Sequence, residues 1–331
     1  MKAVILAAGF GTRLWPLTED RTKPAIPFLN RPLIAYTVDY LAALGVRDII
    51  VNLHHQPDSI RRALGDGAAL GVNIEYSFEE EILGTSGAID RVRDQLMDDD
   101  FIVINGKIVT DIDLQAAIRE HREQGAIATL VLKENVAREH FSIVEVDARR
   151  RVTRFAGFPD AVSAEAGAPD AGGKVMTSDP APLMFTGIQV LSPRIFDYVP
   201  RNCFSHSTMH VYPRAIAEGE PVIAHVTQGN WFEMSTLDRY LEASMMFMKK
   251  AGAAVIQGAG CSIAPGASVE GSVLWERVQV ESGARLRRAV IGDDVRVPAG
   301  AVIENAVVVR RRVVHEIERG TFVGDNLIVP L

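Results

Sequence analysis

Lys2-Ala3-Val4-Ile5-Leu6-Ala7-Ala8-Gly9-Phe10-Gly11-Thr12-Arg13-Leu14-Trp15-Pro16-Leu17-Thr18, with Lys23-Pro24 close behind, is the stretch that decides the fold. Lys2–Ala7 is a short apolar run containing β-branched residues, and it reads as a buried parallel strand. Glycines directly after a strand let backbone N–H groups approach phosphate oxygens closely. Ala8, Gly9, Gly11 and Thr12 are therefore candidate phosphate contacts. Arg13 and Lys23 add charge there, one as a planar fork and the other as a point charge. The spacing differs from the dinucleotide fingerprint, which needs G-x-G-x-x-G and an acid about twenty residues further on.

Outward from this stretch, strand and helix patterns alternate. Pro32 opens a helix with Ile34, Val38 and Leu41 on one face, ending near Gly45. Asp48–Leu53 reads as a strand, 58–64 as a helix, 72–78 as a strand and 86–97 as a helix. Phe101–Asn105 reads as a strand, 113–121 as a helix and 126–133 as a strand again. This alternation predicts a mostly parallel sheet with helices on both faces. Strands come next at 142–146, 152–155 and 184–191, the last two separated by the Ala-, Gly-, Pro- and Asp-rich stretch Ala156–Pro182, a lid or a surface insertion. A helix over 236–250 links this part of the chain to the C-terminal tail.

From Ile263 the period changes. Apolar residues stand at 263, 269, 274, 280, 286, 291, 297, 303 and 308, in steps of five or six. Gly266-Ala267, Gly283-Ala284 and Gly300-Ala301 punctuate them. Neither the helical nor the strand period gives such steps, whereas hexapeptide repeats do, so the tail predicts about three coils of a parallel β-helix. Its simplest role is structural or oligomerising. His315 lies beyond the clearest repeats, so no histidine within them suggests acyl transfer.

At 331 residues the chain is long enough for two domains, placed at 1–250 and 251–331. A 47% hydrophobic and 23% charged composition excludes disordered and fibrous classes. Residues 251–331 balance nine Arg against nine acids, so the whole net charge of −7 lies in the first 250. That balance argues against a nucleic-acid coat, and a phosphate-rich ligand must be held by local cations and N–H groups. Two cysteines and no signal peptide fit a cytoplasmic protein, and no apolar run is long enough to predict a membrane span.

The string Gly-x-Gly-Thr-Arg-Leu-x-Pro-Leu-Thr…Lys-Pro resembles the sugar-1-phosphate nucleotidyltransferases, the NDP-sugar pyrophosphorylases. The resemblance extends through Glu81-Ile82-Leu83-Gly84-Thr85-Ser86-Gly87-Ala88, Asn105-Gly106 and Phe185–Pro193, and it is strongest to the mannose-1-phosphate guanylyltransferase branch. It implies an α/β fold: a Rossmann-like nucleotidyltransferase domain with a mixed, mostly parallel sheet, plus a C-terminal left-handed parallel β-helix. It also implies nucleotidyl transfer from an NTP, GTP by the branch likeness, to a sugar 1-phosphate, giving NDP-sugar and pyrophosphate. Gly84, Thr85, Ser86 and Gly87 would bind the base, and Asn105 and Gly187 the sugar. The expected assembly is a homo-oligomer or a pairing with a catalytic partner subunit.

In that family two Asp carboxylates hold Mg²⁺, one after Gly in the Asn-Gly motif and one in a late Trp-x-Asp segment. This chain has Lys107 at the first position and, in Trp231-Phe232-Glu233, Glu233 at the second. An ammonium cannot ligate Mg²⁺, so Glu233 is the surviving candidate ligand and Lys107 a candidate electrostatic substitute. The family's Glu-Lys-Pro is also replaced, by Phe155-Ala156-Gly157-Phe158-Pro159. The chain is then either a transferase whose lysine supplies the missing charge, or a nucleotide- or NDP-sugar-binding regulatory homologue. Asp111 and Asp113 are either metal recruits or caps of the helix near 113.

Lesser candidates are His54-His55 beside the base, a zinc set of Cys203, His206 and His210 if 201–212 is helical, and Arg310-Arg311-Arg312 as an anionic-partner patch. Trp15 and Trp231 read as packing residues.

Overall fold

The computed structural model describes residues 1–155 and 181–331. Residues 156–180 lie outside the described residues, and with them most of the stretch Ala156–Pro182 and the segment 156–159 compared with the family's Glu-Lys-Pro.

In chain order the strands that position the site are β1 (Ala3–Leu6), β2 (Asp48–Leu53), β3 (Asn73–Phe78), β4 (Phe101–Asn105), β5 (Ile108–Thr110), β6 (Ala128–Glu134), β7 (Leu183–Leu191), β8 (Val222–Val226) and β9 (Trp231–Glu233). The helices are α1 (Leu33–Ala43), α2 (Pro57–Leu64), α3 (Gly84–Arg91), α4 (Leu114–Glu123), α5 (Tyr212–Ala217) and α6 (Leu237–Lys250). Two compact units divide the chain: Met1–Val4, Ile82–Asn105 and Asp111–Asn230 form one, and Ile5–Glu81, Gly106–Thr110 and Trp231–Leu331 the other.

In the first unit the strand order is β8-β6-β7-β4. β8 runs parallel to β6, and β7 is antiparallel to both of its neighbours, pairing Ile188 with Ile104 and Leu191 with Ala128. The sheet is therefore mixed through this one strand. Asp113 caps α4 by accepting the Ala116 N–H (3.2 Å), and the helix buries Leu114, Ala117 and Ile118. The predicted helix over 86–97 is instead α3, starting at Gly84, and a separate 3-10 turn at Arg93–Gln95. Ser86 lies inside this helix, and its hydroxyl donates to Ser205 Oγ (2.8 Å).

In the second unit β2 and β3 are parallel, pairing Asp48 with Asn73 through Leu53 with Phe78. α1 buries Leu33, Ile34, Val38 and Leu41, the face its spacing predicts. Each such aliphatic contributes about 1.5–3 kcal/mol by burial. β5 and β9 form an antiparallel pair with Ile108 opposite Glu233.

The tail forms parallel coils with a register of 17 residues: Ser262 pairs with Gln279, Gln279 with Arg296, and Arg285 with Val302. Leu274, Val280, Leu286, Ile291, Val297, Ile303 and Val308 fill the interior. After the last coil the chain reverses. Asn326–Pro330 lies antiparallel on Val302–Arg310, and Thr321–Val323 turns onto it through the two-residue Gly324-Asp325 loop. This hairpin covers an edge that coils alone would leave unpaired.

Candidate active site

The glycine loop is built by its neighbours. Past β1, the Ala7 N–H donates to Asn52 Oδ1 (2.6 Å), and Asn52 Nδ2 donates to Glu79 Oε1 (2.7 Å), which fixes the exit of the strand. Thr18 Oγ1 donates to Gly11 O (3.3 Å) and Thr22 Oγ1 to Gly9 O (3.4 Å), latching the loop to the segment that carries Lys23. Gly11 has φ +74°, and a Cβ there would stand 2.9 Å from Lys23 Cβ, so only glycine lets the lysine pack this closely. A Cβ at Gly9 would meet nothing within 4 Å. Thr12 and Arg13 line a cleft of about 550 Å³ with Trp15, Thr236, Asp238, Glu318 and Arg319. The last four were not singled out by the sequence, which gives no local signal for them.

Lys107 occupies the turn between β4 and β5, and its ammonium pairs with the Glu233 carboxylate. The β5–β9 pairing sets this up, since the Met234 N–H donates to Lys107 O (3.2 Å) beside the Ile108–Glu233 register pair. The Glu233 side chain is buried, and its other oxygen lies 3.9 Å from Arg239 Nη1. Burial pushes the Glu233 pKa up, but the Lys107 charge, hydrogen bonds from Lys107 and Ser235, and the more distant charge of Lys23 together hold the carboxyl below its ordinary range. Lys23 is buried as well. Desolvation first, then the charges of Lys107 and Arg13, push its pKa down to about 7 against a smaller opposing pull from Glu233. Arg13, Lys23, Lys107 and Glu233 thus act on one another electrostatically.

In the first unit the Gly84–Gly87 segment is packed onto residues 203–207. A Cβ on Gly84 would stand 2.4 Å from Ser205 O, and one on Gly87 2.7 Å from Cys203 O. The Ser86 and Gly87 N–H groups both donate to Ser205 O (3.0 and 3.3 Å), and the Thr85 N–H donates to His206 Nδ1 (3.4 Å). Asn105 and Gly187 meet directly. Gly187 has φ +79° where the register of β7 shifts, and a Cβ there would lie 2.0 Å from Asn105 Nδ2.

The zinc reading of Cys203, His206 and His210 is corrected. The segment is not an α-helix: residues Ser207–Val211 form a π turn before α5. His210 Nδ1 accepts the His206 N–H (2.9 Å), and His206 is engaged by Thr85. Among the described residues no three His, Cys, Asp or Glu side chains are grouped to hold a metal ion. Of the two other aspartates, Asp113 is the α4 cap, the second of its two readings, and Asp111 accepts from Asn230 N and Nδ2 (both 2.6 Å). His54 Nδ1 lies 2.9 Å from Glu79 O, and both His54 and His55 contact the exposed Phe10 ring. Trp15 is buried in the core, and Arg312 pairs with Asp294 (3.5 Å).

A mixed α/β sheet with a cation-lined glycine turn, continued by hexapeptide coils, defines the nucleotidyl-transfer class. The chain belongs to the nucleotidyl transferase family, whose model matches residues 2–250, and a GlmU-like C-terminal hexapeptide model matches residues 246–328. It is similar to the UTP–glucose-1-phosphate uridylyltransferase of Synechocystis sp., 29% identical over 300 residues that cover 85% of this chain and 72% of that one. It is also similar to the mannose-1-phosphate guanylyltransferase of Mycobacterium tuberculosis, 29% identical over 309 residues covering 85% and 81%. A Bacillus anthracis crystal structure assigned to a glucose-1-phosphate thymidylyltransferase shares the fold, with a TM-score of 0.61 and 20% identity over 74% of this chain and 94% of that one. No helix among the described residues is long and apolar enough to cross a membrane.

Proposed function

We propose that the protein transfers a nucleotidyl group from an NTP to a sugar 1-phosphate, with lysine charge in place of a divalent ion at the Lys107–Glu233 position. The observation that carries this reading is the glycine turn packed against the buried Lys23, together with the Lys107–Glu233 ion pair. An oxygen of the sugar phosphate attacks the α-phosphorus, the bond from that phosphorus to the bridging oxygen breaks, and pyrophosphate leaves. Two anions must approach each other for this, so fixed cations offset their repulsion and in-line positioning supplies much of the remainder.

Relatives in this family are typically divalent-metal dependent, and the residues here do not fit such an ion. The single buried carboxylate at the position is already paired with Lys107, faces Arg239 at 3.9 Å and feels the charge of Lys23. A dication would meet like charge there with one ligand to hold it. We assign the base to the Gly84–Gly87 segment, the sugar to Asn105 and Gly187, and GTP as the donor on the guanylyltransferase likeness. A domain boundary at 250, a cytoplasmic site of action and homo-oligomers complete the reading.

One observation favours a second reading, a homologue that binds nucleotide or NDP-sugar without turnover: the Lys107–Glu233 pair cancels the charge of the only family carboxylate left. Calorimetry with five NTPs alongside pyrophosphate release with a panel of sugar 1-phosphates separates the two, since binding without release in every pairing supports the second.

A further inference from the structure

Lys23 sits in a short 3-10 turn, Lys23–Ala25, and the chain on each side of that turn is fastened to the β-helix. Two residues before it, Arg21 Nη2 donates to Asp293 Oδ2 (2.7 Å), and the guanidinium lies 4.9 Å from the centre of the Trp275 ring. Asp293 is itself held by the Glu276 N–H (2.9 Å) from the preceding coil. Four residues after Lys23, Pro27 O accepts from Tyr240 OH, which in turn accepts from Trp275 Nε1 (3.1 Å). Tyr240 and Trp275 are almost fully buried. Both anchors of the lysine-bearing turn thus converge on adjacent coils about 250 residues further along the chain.

We infer that Asp293 and Trp275 are positioning residues for Lys23, so that the β-helix is part of the machinery that presents this ammonium to phosphate. The inference rests on the reading of Lys23 as a phosphate-binding group. Two anchors matter because a turn held at one end can pivot, whereas one held at both ends cannot. A buried lysine held against Gly11 then keeps its place without spending binding energy on ordering. Asp293 acts on Lys23 only through Arg21, and Trp275 only through Arg21 and Tyr240.

The neighbouring Asp294 supplies the control. It pairs with Arg277 (2.7 Å) and Arg312 (3.5 Å), and among the described residues neither pair leads to the turn. Asp293→Asn, Trp275→Phe and Asp294→Asn are made in the full chain, and two quantities are read. The first is acetylation of Lys23 by limiting acetic anhydride in the free protein, quantified by peptide mass spectrometry against Lys249 and Lys250. The second is the Kd for whichever of GTP, ATP, CTP, UTP and dTTP the wild type binds most tightly. Asp293→Asn and Trp275→Phe are expected to change Lys23 labelling about threefold or more and to weaken the nucleotide about tenfold. Asp294→Asn is expected to leave both within about twofold. Equal behaviour of Asp293→Asn and Asp294→Asn in labelling overturns the inference. Failure of the wild type to bind any NTP overturns the functional reading, while the labelling still decides the positioning. Altered labelling with unaltered affinity also overturns the claim that presentation to phosphate is what the anchors serve.

Discussion

The ammonium of Lys107 and the carboxylate of Glu233 form a direct ion pair at the position where the family resemblance leads one to expect two carboxylates. The acid is the buried partner, at 4% side-chain exposure, and the lysine reaches partly to solvent at 27%. Removing the two partners therefore has unequal consequences. Lys107→Met strands a buried charge and is expected to cost about 3 kcal/mol. Glu233→Gln leaves a lysine that can turn toward water and is expected to cost about 1 kcal/mol. Urea unfolding of both variants and of the double variant checks this, with the double variant expected to lie closer to wild type than Lys107→Met.

The same pair gives stability a pH dependence. The folded Glu233 pKa is below its unfolded value, so its contribution is complete above the ordinary glutamate pKa of about 4.3 and is lost as pH falls through the lowered folded value. Acid unfolding of Glu233→Gln should accordingly show a shallower loss below about pH 4.3 than wild type.

Nucleotide affinity should fall with rising pH. Lys23 in the free protein loses its proton around pH 7, and a triphosphate favours the charged form, so binding takes up a proton above that pH. Burial first, then the Lys107 charge and more weakly Arg13, depress this pKa, and Glu233 raises it. Calorimetry between about pH 7 and 9 should show Kd rising up to about tenfold per pH unit, and Lys23→Met should be weaker throughout and nearly flat.

Gly11 and Gly9 should respond differently to alanine. At Gly11 the φ of +74° and the 2.9 Å approach to Lys23 Cβ strain any side chain, at a cost of about 2 kcal/mol with weakened nucleotide binding. At Gly9 the added methyl meets no protein atom within 4 Å, so stability should change by less than about 0.5 kcal/mol. Thermal unfolding of the pair separates strain from contact with phosphate.

Gly187→Ala should act on the sugar. Its Cβ would displace Asn105, 2.0 Å away. The expected result is a raised KM for sugar 1-phosphate with the NTP Kd unchanged, read by steady-state kinetics beside calorimetry.

Local pattern made much of this legible. Asp48–Leu53 and Phe101–Asn105 are strands with the predicted ends, because buried strands are short apolar runs with sharp polar limits. The Gly266, Gly283 and Gly300 spacing is the 17-residue coil register itself, one five-residue step having replaced a six. What stayed hidden depends on distant partners. Nothing near Arg21 announces Asp293, 272 residues away. The Ser86 hydroxyl donates to Ser205, 119 residues away. The terminal hairpin carries a Gly324-Asp325 turn signal but breaks the hexapeptide pattern that precedes it. Lys107 and Glu233 each stood out as departures from the family, yet only the β5–β9 register shows that they meet.

The most direct test of the account is pyrophosphate release by wild type and Lys107→Asp, each with Mg²⁺ and with chelator. A lysine standing in for the ion predicts that wild type turns over at similar rates in both conditions. Lys107→Asp, now presenting two carboxylates and no ammonium, should turn over only with Mg²⁺. Wild-type turnover that vanishes in chelator, or nucleotide binding with no turnover under either condition, would contradict it.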